Sequence, residues 1–294
     1  MNLHEFYQAT VDLLAVDFVQ QALLAAALLG LVSGVMAPLV VLRTMSFAVH
    51  GTSELALMGA SAALLFGLNV GAGAVVGSII AAVVLAMLGW KQQDAAVGVV
   101  MSFGMGLSVL FIYLYPGRSS TAFALLTGQI VGVTGNSLAI LAAVVVIVVG
   151  TIALIWRPLL FASADPIMAT AAGVKVRQLS IVFAILVGLT SAQSVQIVGA
   201  LLVMALLITP GAAAVHVTAR PLVAVVLSII FAEVAAVGGF VLSLAPGLPV
   251  SVFVTGISFA IYLICRLTGY LQAQRIGADA GTHTKQRAEG CCEA

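Results

Sequence analysis

The chain consists of long apolar runs interrupted by single charged residues or by short clusters of glycine, proline and asparagine. A bilayer-spanning helix needs about 20 predominantly apolar residues, and an open sheet cannot cross because its edge groups would lack hydrogen bonds. Only 7% of the 294 residues are charged, whereas soluble proteins carry about 25%. The sequence therefore predicts an all-α polytopic membrane protein surrounded by lipid. It argues against a soluble enzyme, a nucleic-acid-binding protein and a disordered chain.

The interruptions divide the chain into nine predicted spans, with eight as the alternative because the sixth is short. The predicted spans cover residues 19–42, 53–69, 71–90, 95–115, 137–156, 179–193, 197–217, 222–244 and 250–266. The segment 119–136 is apolar but contains three glycines, so we expect an interfacial or partly inserted piece there.

The basic residues between the spans predict the orientation, because cytoplasmic loops retain lysine and arginine. Nearly all fall on one side under this division, and Arg118 alone falls on the other. The same side holds Arg43, Lys91, Arg157, Lys175, Arg177, Arg220, Arg266, Arg275, Lys285 and Arg287. We therefore expect an extracytoplasmic segment at 1–17, a transmembrane domain at 18–270 and a disordered cytoplasmic tail at 271–294.

The termini and the three cysteines give little further information about fold or function. Residues 1–17 lack the basic leader of a cleavable signal peptide, so we expect the first span to remain in the membrane. Cys265, Cys291 and Cys292 do not form an even disulfide framework, and we expect reduced thiols. His283, Cys291 and Cys292 could together contact a soft metal, but an unstructured tail is the preferred interpretation.

His50 and Glu54 are the most informative ionisable residues within the apolar region. An ionisable side chain inside a bilayer is costly unless it is paired or hydrated, and it is therefore a candidate for function. A spacing of four residues places the imidazole and the carboxylate on one helical face, where both can bind one cation. Ser46 and Ser53 make this segment more polar still. The alternative is a His–Glu pair that only satisfies itself.

Two further features are secondary candidates for a transport pathway. Glu233 lies among alanine and valine, and it fits either a pathway carboxylate or a buried, protonated one. Pro210 lies within a predicted span, where proline can break a helix and line a path.

The polar loop between residues 157 and 178 contains a predicted short helix at about 164–174. Asp165 suits its N-cap, Pro166 its first position and Gly173 its end. A capped helix on the cytoplasmic face could dock another protein or could be an ordinary surface helix, and composition does not decide between them.

Several segments together resemble the membrane permeases of the zinc, manganese and iron uptake ABC importers. The run 164–177 is similar to the coupling segment of that family, in which Asp-Pro is followed by alanine, glycine and a basic residue. The run 198–214 resembles the most recognisable span, 126–130 resembles an element after the fourth span, and 244–254 resembles the last hairpin. The resemblance covers residues 18–269.

The resemblance implies a homodimeric or pseudo-twofold permease in the cell membrane that receives manganese, zinc or iron from an extracytoplasmic binding protein. Two separate ATPase subunits would drive it, and the helix containing Asp165, Pro166, Ala169 and Gly173 would be its coupling helix. The chain has no glycine-rich phosphate loop ending in Gly-Lys-Ser/Thr, so we expect ATP hydrolysis on a partner and no enzymatic activity here.

The first spans depart from the family pattern at the implied metal ligands. Arg43, Ser46 and Gly59 match it, but this chain has His50 where the family usually has Asp and Glu54 where it has His. Each chain still has one imidazole and one carboxylate at these two positions. A dimer would therefore place two His and two Glu around its axis. Both residue types bind borderline divalent metals, so the metal is not determined.

Three other functions compete with this prediction. A related permease could carry a metal chelate or another small solute. A secondary transporter could use Glu54 or Glu233 as a proton-linked carboxylate, although the expected inverted repeat is not evident. A membrane metalloenzyme would need three protein ligands and a general base, and the chain has only four histidines.

Overall fold

The computed structural model describes residues 3–88, 93–117, 135–246 and 248–290, and the regular structure in these ranges is entirely α-helical. The helices are α1 (Leu3–Leu14), α2 (Asp17–Leu42), α3 (Ser46–Leu65), α4 (Val70–Leu88), α5 (Gln93–Leu114), α6 (Gly135–Ala164), α7 (Pro166–Ala171), α8 (Val176–Val198), α9 (Ala200–Leu207), α10 (Thr209–Val217), α11 (Pro221–Leu244) and α12 (Val250–Gly290). The all-α prediction is confirmed.

Six helices of the described ranges are long and apolar enough to cross a bilayer by themselves. They are Asp17–Leu42, Val97–Leu114, Gly135–Ala164, Val176–Val198, Pro221–Leu244 and Val250–Leu271. Each of the nine predicted spans overlaps a helix, but the count of nine and the orientation remain predictions. Most of the predicted interfacial piece at 119–136 lies outside the described residues.

The predicted span 197–217 is divided into separate helices. Gly199 interrupts the chain between α8 and α9 with φ 83° and ψ 158°, a conformation that is essentially restricted to glycine. Ile208 then separates α9 from α10, and Pro210 occupies the first turn of α10. Apolar composition predicted a continuous run because it does not register these backbone breaks.

Helix α2 lies at the centre of the molecule. Most of its residues are buried, and it packs against α6, α10 and α11. Close approach depends on Gly34, where an added Cβ would collide with the backbone of Ile229 on α11. Small residues allow such contacts between helices in lipid, where no hydrophobic force drives apolar helices together.

Helix α3 packs most extensively against α4 through a set of glycines. A Cβ on Gly59 would collide with the carbonyl of Gly73, and one on Gly77 would collide with the carbonyl of Leu55. The pair α3 and α4 is therefore held at backbone contact distance, and α5 covers another side of α3.

The last helix continues beyond the membrane-length segment. The prediction of disorder from residue 271 differs from the structure, in which α12 is helical as far as Gly290. No proline interrupts the sequence after Leu271, and the glutamine, alanine and arginine residues there favour helix. The tail cysteines Cys291 and Cys292 lie outside the described residues.

Candidate metal path and coupling segment

His50 and Glu54 lie one turn apart in the first half of α3. The helix begins at Ser46, seven residues before the predicted span, so both side chains belong to one regular helix. His50 Nδ1 and Glu54 Oε1 are 4.0 Å apart, and the side chains are 32% and 12% exposed. The predicted common face is confirmed, and the pair is partly accessible from outside the chain.

The pair does not satisfy itself by hydrogen bonding. A separation of 4.0 Å exceeds the range of about 2.7–3.2 Å for an N–H···O bond, and His50 Nδ1 is buried without a hydrogen-bond partner. An ion bound to both side chains would lie about 2 Å from each donor atom. The geometry is therefore compatible with a cation between the two side chains, and the metal site remains a prediction.

The neighbouring hydroxyl groups are directed elsewhere. Ser53 is fully buried, and its Oγ donates to the carbonyl of His50 at 2.8 Å. Thr52 Oγ1 donates to the carbonyl of Val49 at 2.8 Å and lies 3.4 Å from Ser191 Oγ on α8. Ser46 is partly buried at the start of the helix. Ser53 thus fixes the helix turn at His50 instead of presenting a free hydroxyl.

The other pathway candidates lie against α2. Glu233 on α11 packs over Gly30, where an added Cβ would lie 3.1 Å from the carboxylate oxygen Oε1. Pro210 is buried on α10, and its neighbour Gly211 contacts the backbone of α2 at Ala37. Glu54 instead has its backbone beside Gly104 of α5.

One chain places one imidazole and one carboxylate at this position. Within residues 3–88, 93–117, 135–246 and 248–290, no group of three or more His, Cys, Asp or Glu residues is arranged to hold a metal. A cation at His50 and Glu54 would need water or a second chain to complete its coordination.

The predicted helix in the polar loop is present as α7. Asp165 Oδ1 accepts hydrogen bonds from the backbone N–H groups of Ile167 at 3.0 Å and Met168 at 2.9 Å, and Pro166 occupies the first helical position. Gly173, with φ 83°, turns the chain towards α8. The predicted N-cap, first residue and terminating glycine are all confirmed.

Ala169 of the predicted coupling helix does not lie on the exposed face of α7. Ala169 is fully buried against its own chain, whereas Ile167 is 82% and Met168 60% exposed. Ala169 therefore anchors α7 to the protein, and Ile167 and Met168 form its apolar outer face. A helix of six residues has too few turns for its sequence period to identify the outer face.

Arg43 is an additional feature that the sequence did not identify as part of the site. It was assigned to a cytoplasmic loop, but its side chain is only 6% exposed and lies against α8. Its match to the family pattern Arg-x-x-Ser was the one available indication.

The comparison with known proteins decides the family. Residues 15–269 match the family described as the ABC 3 transport family. The chain belongs to this family. The resemblance inferred from the motifs is confirmed, and the protein is a multi-pass membrane protein.

Curated relatives of this ABC 3 family member include manganese transport proteins. The manganese transport system membrane protein MntC of Halalkalibacterium halodurans is 31% identical over 82% of this chain and 83% of its own length. The manganese import system permease protein ScaB of Streptococcus parasanguinis is 33% identical over 67% of this chain and 71% of its own.

Solved structures have the same fold. PsaBC from Streptococcus pneumoniae, determined in complex with Fab, superposes with a TM-score of 0.79 at 26% identity, covering 87% of this chain and 94% of that one. A metal-chelate type ABC transporter in an inward-facing conformation gives a TM-score of 0.70 at 16% identity over 85% of each chain. The second likeness concerns the fold alone.

Proposed function

We propose that this chain is the permease subunit of an ABC importer that moves a divalent transition metal into the cytoplasm. The observation that carries the proposal is the His50–Glu54 pair, 4.0 Å apart on one face of α3, with an imidazole nitrogen that lacks a hydrogen-bond partner. Membership of the ABC 3 transport family supports it.

The chemistry of the pair suits a passing metal ion. A neutral imidazole offers a nitrogen lone pair and a carboxylate offers oxygen, and both bind borderline divalent metals. A second copy of the chain would bring two His and two Glu around its axis. Two protein ligands per chain hold the ion without enclosing it, which suits a substrate that must leave again.

Manganese, zinc and iron all fit one imidazole and one carboxylate. Two relatives carry names that assign them to manganese transport, so manganese is the first substrate to test. An extracytoplasmic binding protein would deliver the ion.

Energy would come from two ATPase subunits docked on α7. Ile167 and Met168 are exposed and apolar and would supply the contact, and the Asp165 cap stabilises the helix. Gly173 and the residues after it connect this contact directly to α8.

Metal uptake in cells tests the proposal. Cells that lack their own manganese and zinc importers would express the chain with its ATPase and binding protein, and accumulation of radioactive metal would be measured. We expect uptake with the wild type and background uptake with His50→Ala or Glu54→Ala, because each variant removes a ligand.

The matched control is His216→Ala. It removes a histidine outside the proposed site, whose ring packs against Tyr262 at 5.7 Å between centroids, and its uptake should stay near that of the wild type. Uptake at the wild-type rate by both α3 variants would show that the pair is structural.

A further inference from the structure

Arg43 occupies the corner between α2 and α3 as a buried cation. The residue caps the C-terminus of α2, and its backbone N–H donates to the carbonyl of Leu39 at 3.1 Å. Its side chain is 6% exposed. His50 follows seven residues later on α3, which begins at Ser46.

The guanidinium group contacts the first turns of α8. Nη2 donates a hydrogen bond to Ser180 Oγ at 3.0 Å, and Cζ lies 5.1 Å from the ring centroid of Phe183, within the range of a cation–π interaction. Phe183 is itself fully buried. One side chain thus joins two helices that are far apart in sequence.

This arrangement is costly as a purely structural element. No carboxylate is paired with Arg43 in the part of the chain that the structure describes, and its Nη1 is buried without a hydrogen-bond partner. Burying a charged side chain costs free energy unless the charge is paired and fully hydrogen-bonded. In this arrangement of the helices Nη1 is therefore a donor without a protein acceptor.

A short segment held by backbone hydrogen bonds connects the start of α8 to α7. The N–H of Val174 donates to the carbonyl of Ala169 at 3.0 Å, and the N–H of Gly173 to that of Thr170 at 3.0 Å. Ser180 then lies in the first turns of α8, where its hydroxyl also donates to the carbonyl of Val176 at 3.0 Å. A displacement of α7 would therefore be transferred to the residues that hold Arg43.

On the other side of the contact, Arg43 is followed closely in the chain by the start of α3. Thr44 has a positive φ of 53°, which is uncommon for a residue other than glycine. The N–H of Met45 donates to the carbonyl of Val40 at 3.0 Å, and that of Val49 donates to the carbonyl of Met45 at 3.0 Å. These hydrogen bonds restrict independent movement of the backbone between Arg43 and His50.

We propose that Arg43 is a positioning residue that transmits movement of α7 and α8 to the α2–α3 corner, and so to the metal ligands on α3. This inference rests on the proposed transport function. As the ATPases move α7, the Ser180 and Phe183 contacts carry the guanidinium with α8, and Nη1 is available for a new acceptor in the second arrangement. Arg43 thereby couples ATP hydrolysis to the position of His50 and Glu54.

The test uses the complete importer in proteoliposomes with its binding protein, comparing Arg43→Met with Arg220→Met. Arg220 is an exposed arginine at the start of α11, so this control makes the same chemical change away from the contact. Metal moved per ATP hydrolysed is expected to fall about tenfold in Arg43→Met, within the range for coupling between distant sites. Complex assembly and KM for the metal-loaded binding protein should stay at the wild-type values.

Graded variants separate transmission from stability. Ser180→Ala removes the acceptor for Arg43 Nη2 together with one side-chain hydrogen bond to the carbonyl of Val176 within α8, and it should lower metal per ATP with the fold intact. Arg43→Lys keeps the charge but not the planar group over Phe183, so its coupling should lie between those of wild type and Arg43→Met.

Two results would overturn the inference. One is metal per ATP at the wild-type value in Arg43→Met, and the other is loss of assembly in Arg43→Met with unaltered coupling in Ser180→Ala. A wild-type complex that hydrolyses ATP but moves no metal would instead overturn the proposed function.

Discussion

At the scale of single residues, the exchanged order of the two ligands makes a specific prediction. The double variant His50→Asp with Glu54→His restores the order usual in the resembled family and keeps one imidazole and one carboxylate per chain. Because the two side chains share a face at 4.0 Å, either order presents both donors to one ion. Metal uptake by the double variant should exceed that of His50→Asp alone, as measured by radioactive manganese and zinc accumulation. Equal uptake by the two variants would indicate that imidazole at one of these positions is not needed for transport.

The sequence predicts residue positions well where local geometry determines them. Spacing of four residues predicted the common face of His50 and Glu54, and the preference of aspartate for helix N-termini predicted the cap at Asp165. Burial of Ala169 and Arg43 depends on which distant segments pack against them, and spacing carries no information about that. The sequence places Arg43 in a cytoplasmic loop because such loops retain arginine, which carries no information on burial.

At the scale of elements, α7 is the part expected to transmit force from the ATPases. Ile167→Glu places a charge on its exposed apolar face, and the side chain is 82% exposed, so the helix itself should remain folded. We expect the variant permease to purify normally but to lose the ATPase subunits and their stimulated hydrolysis, measured by co-purification and phosphate release. Ile167→Leu is the control and should retain both. Full ATPase binding by Ile167→Glu would show that this face is not the dock.

Element boundaries followed from composition only in part. The apolar runs located the helices, but α3 begins at Ser46, before the predicted span, because serine and histidine at its start do not prevent helix formation. The break at Gly199 arises from a backbone conformation of φ 83°, and glycine is also common within continuous membrane helices. The helical continuation to Gly290 likewise follows from helix propensity. The prediction of a disordered tail used only the polarity of the segment and did not take this propensity into account.

At the scale of the whole molecule, the buried helix α2 connects the corner before His50 and Glu54 to the other half of the chain. Its C-terminal corner holds Arg43, which contacts α8, and its earlier turns contact α11 at Gly30 and Gly34. Glycine contacts of this kind fix distances between helix axes, so movement of one helix displaces its neighbours as a packed unit. This packing is consistent with the proposed importer, in which ATP-driven movement at α7 would reach α3 through α8.

The central claim, that ATP hydrolysis on partner subunits drives metal through this permease, is tested most directly by flux into proteoliposomes that contain the purified complex. Metal uptake would be measured with ATP supplied to the ATPases, and separately with a proton gradient and no ATP. The account predicts uptake that requires ATP and the metal-loaded binding protein and that is lost in Glu54→Ala. Uptake driven by the proton gradient alone, with no need for ATP, would contradict the account and identify a secondary transporter.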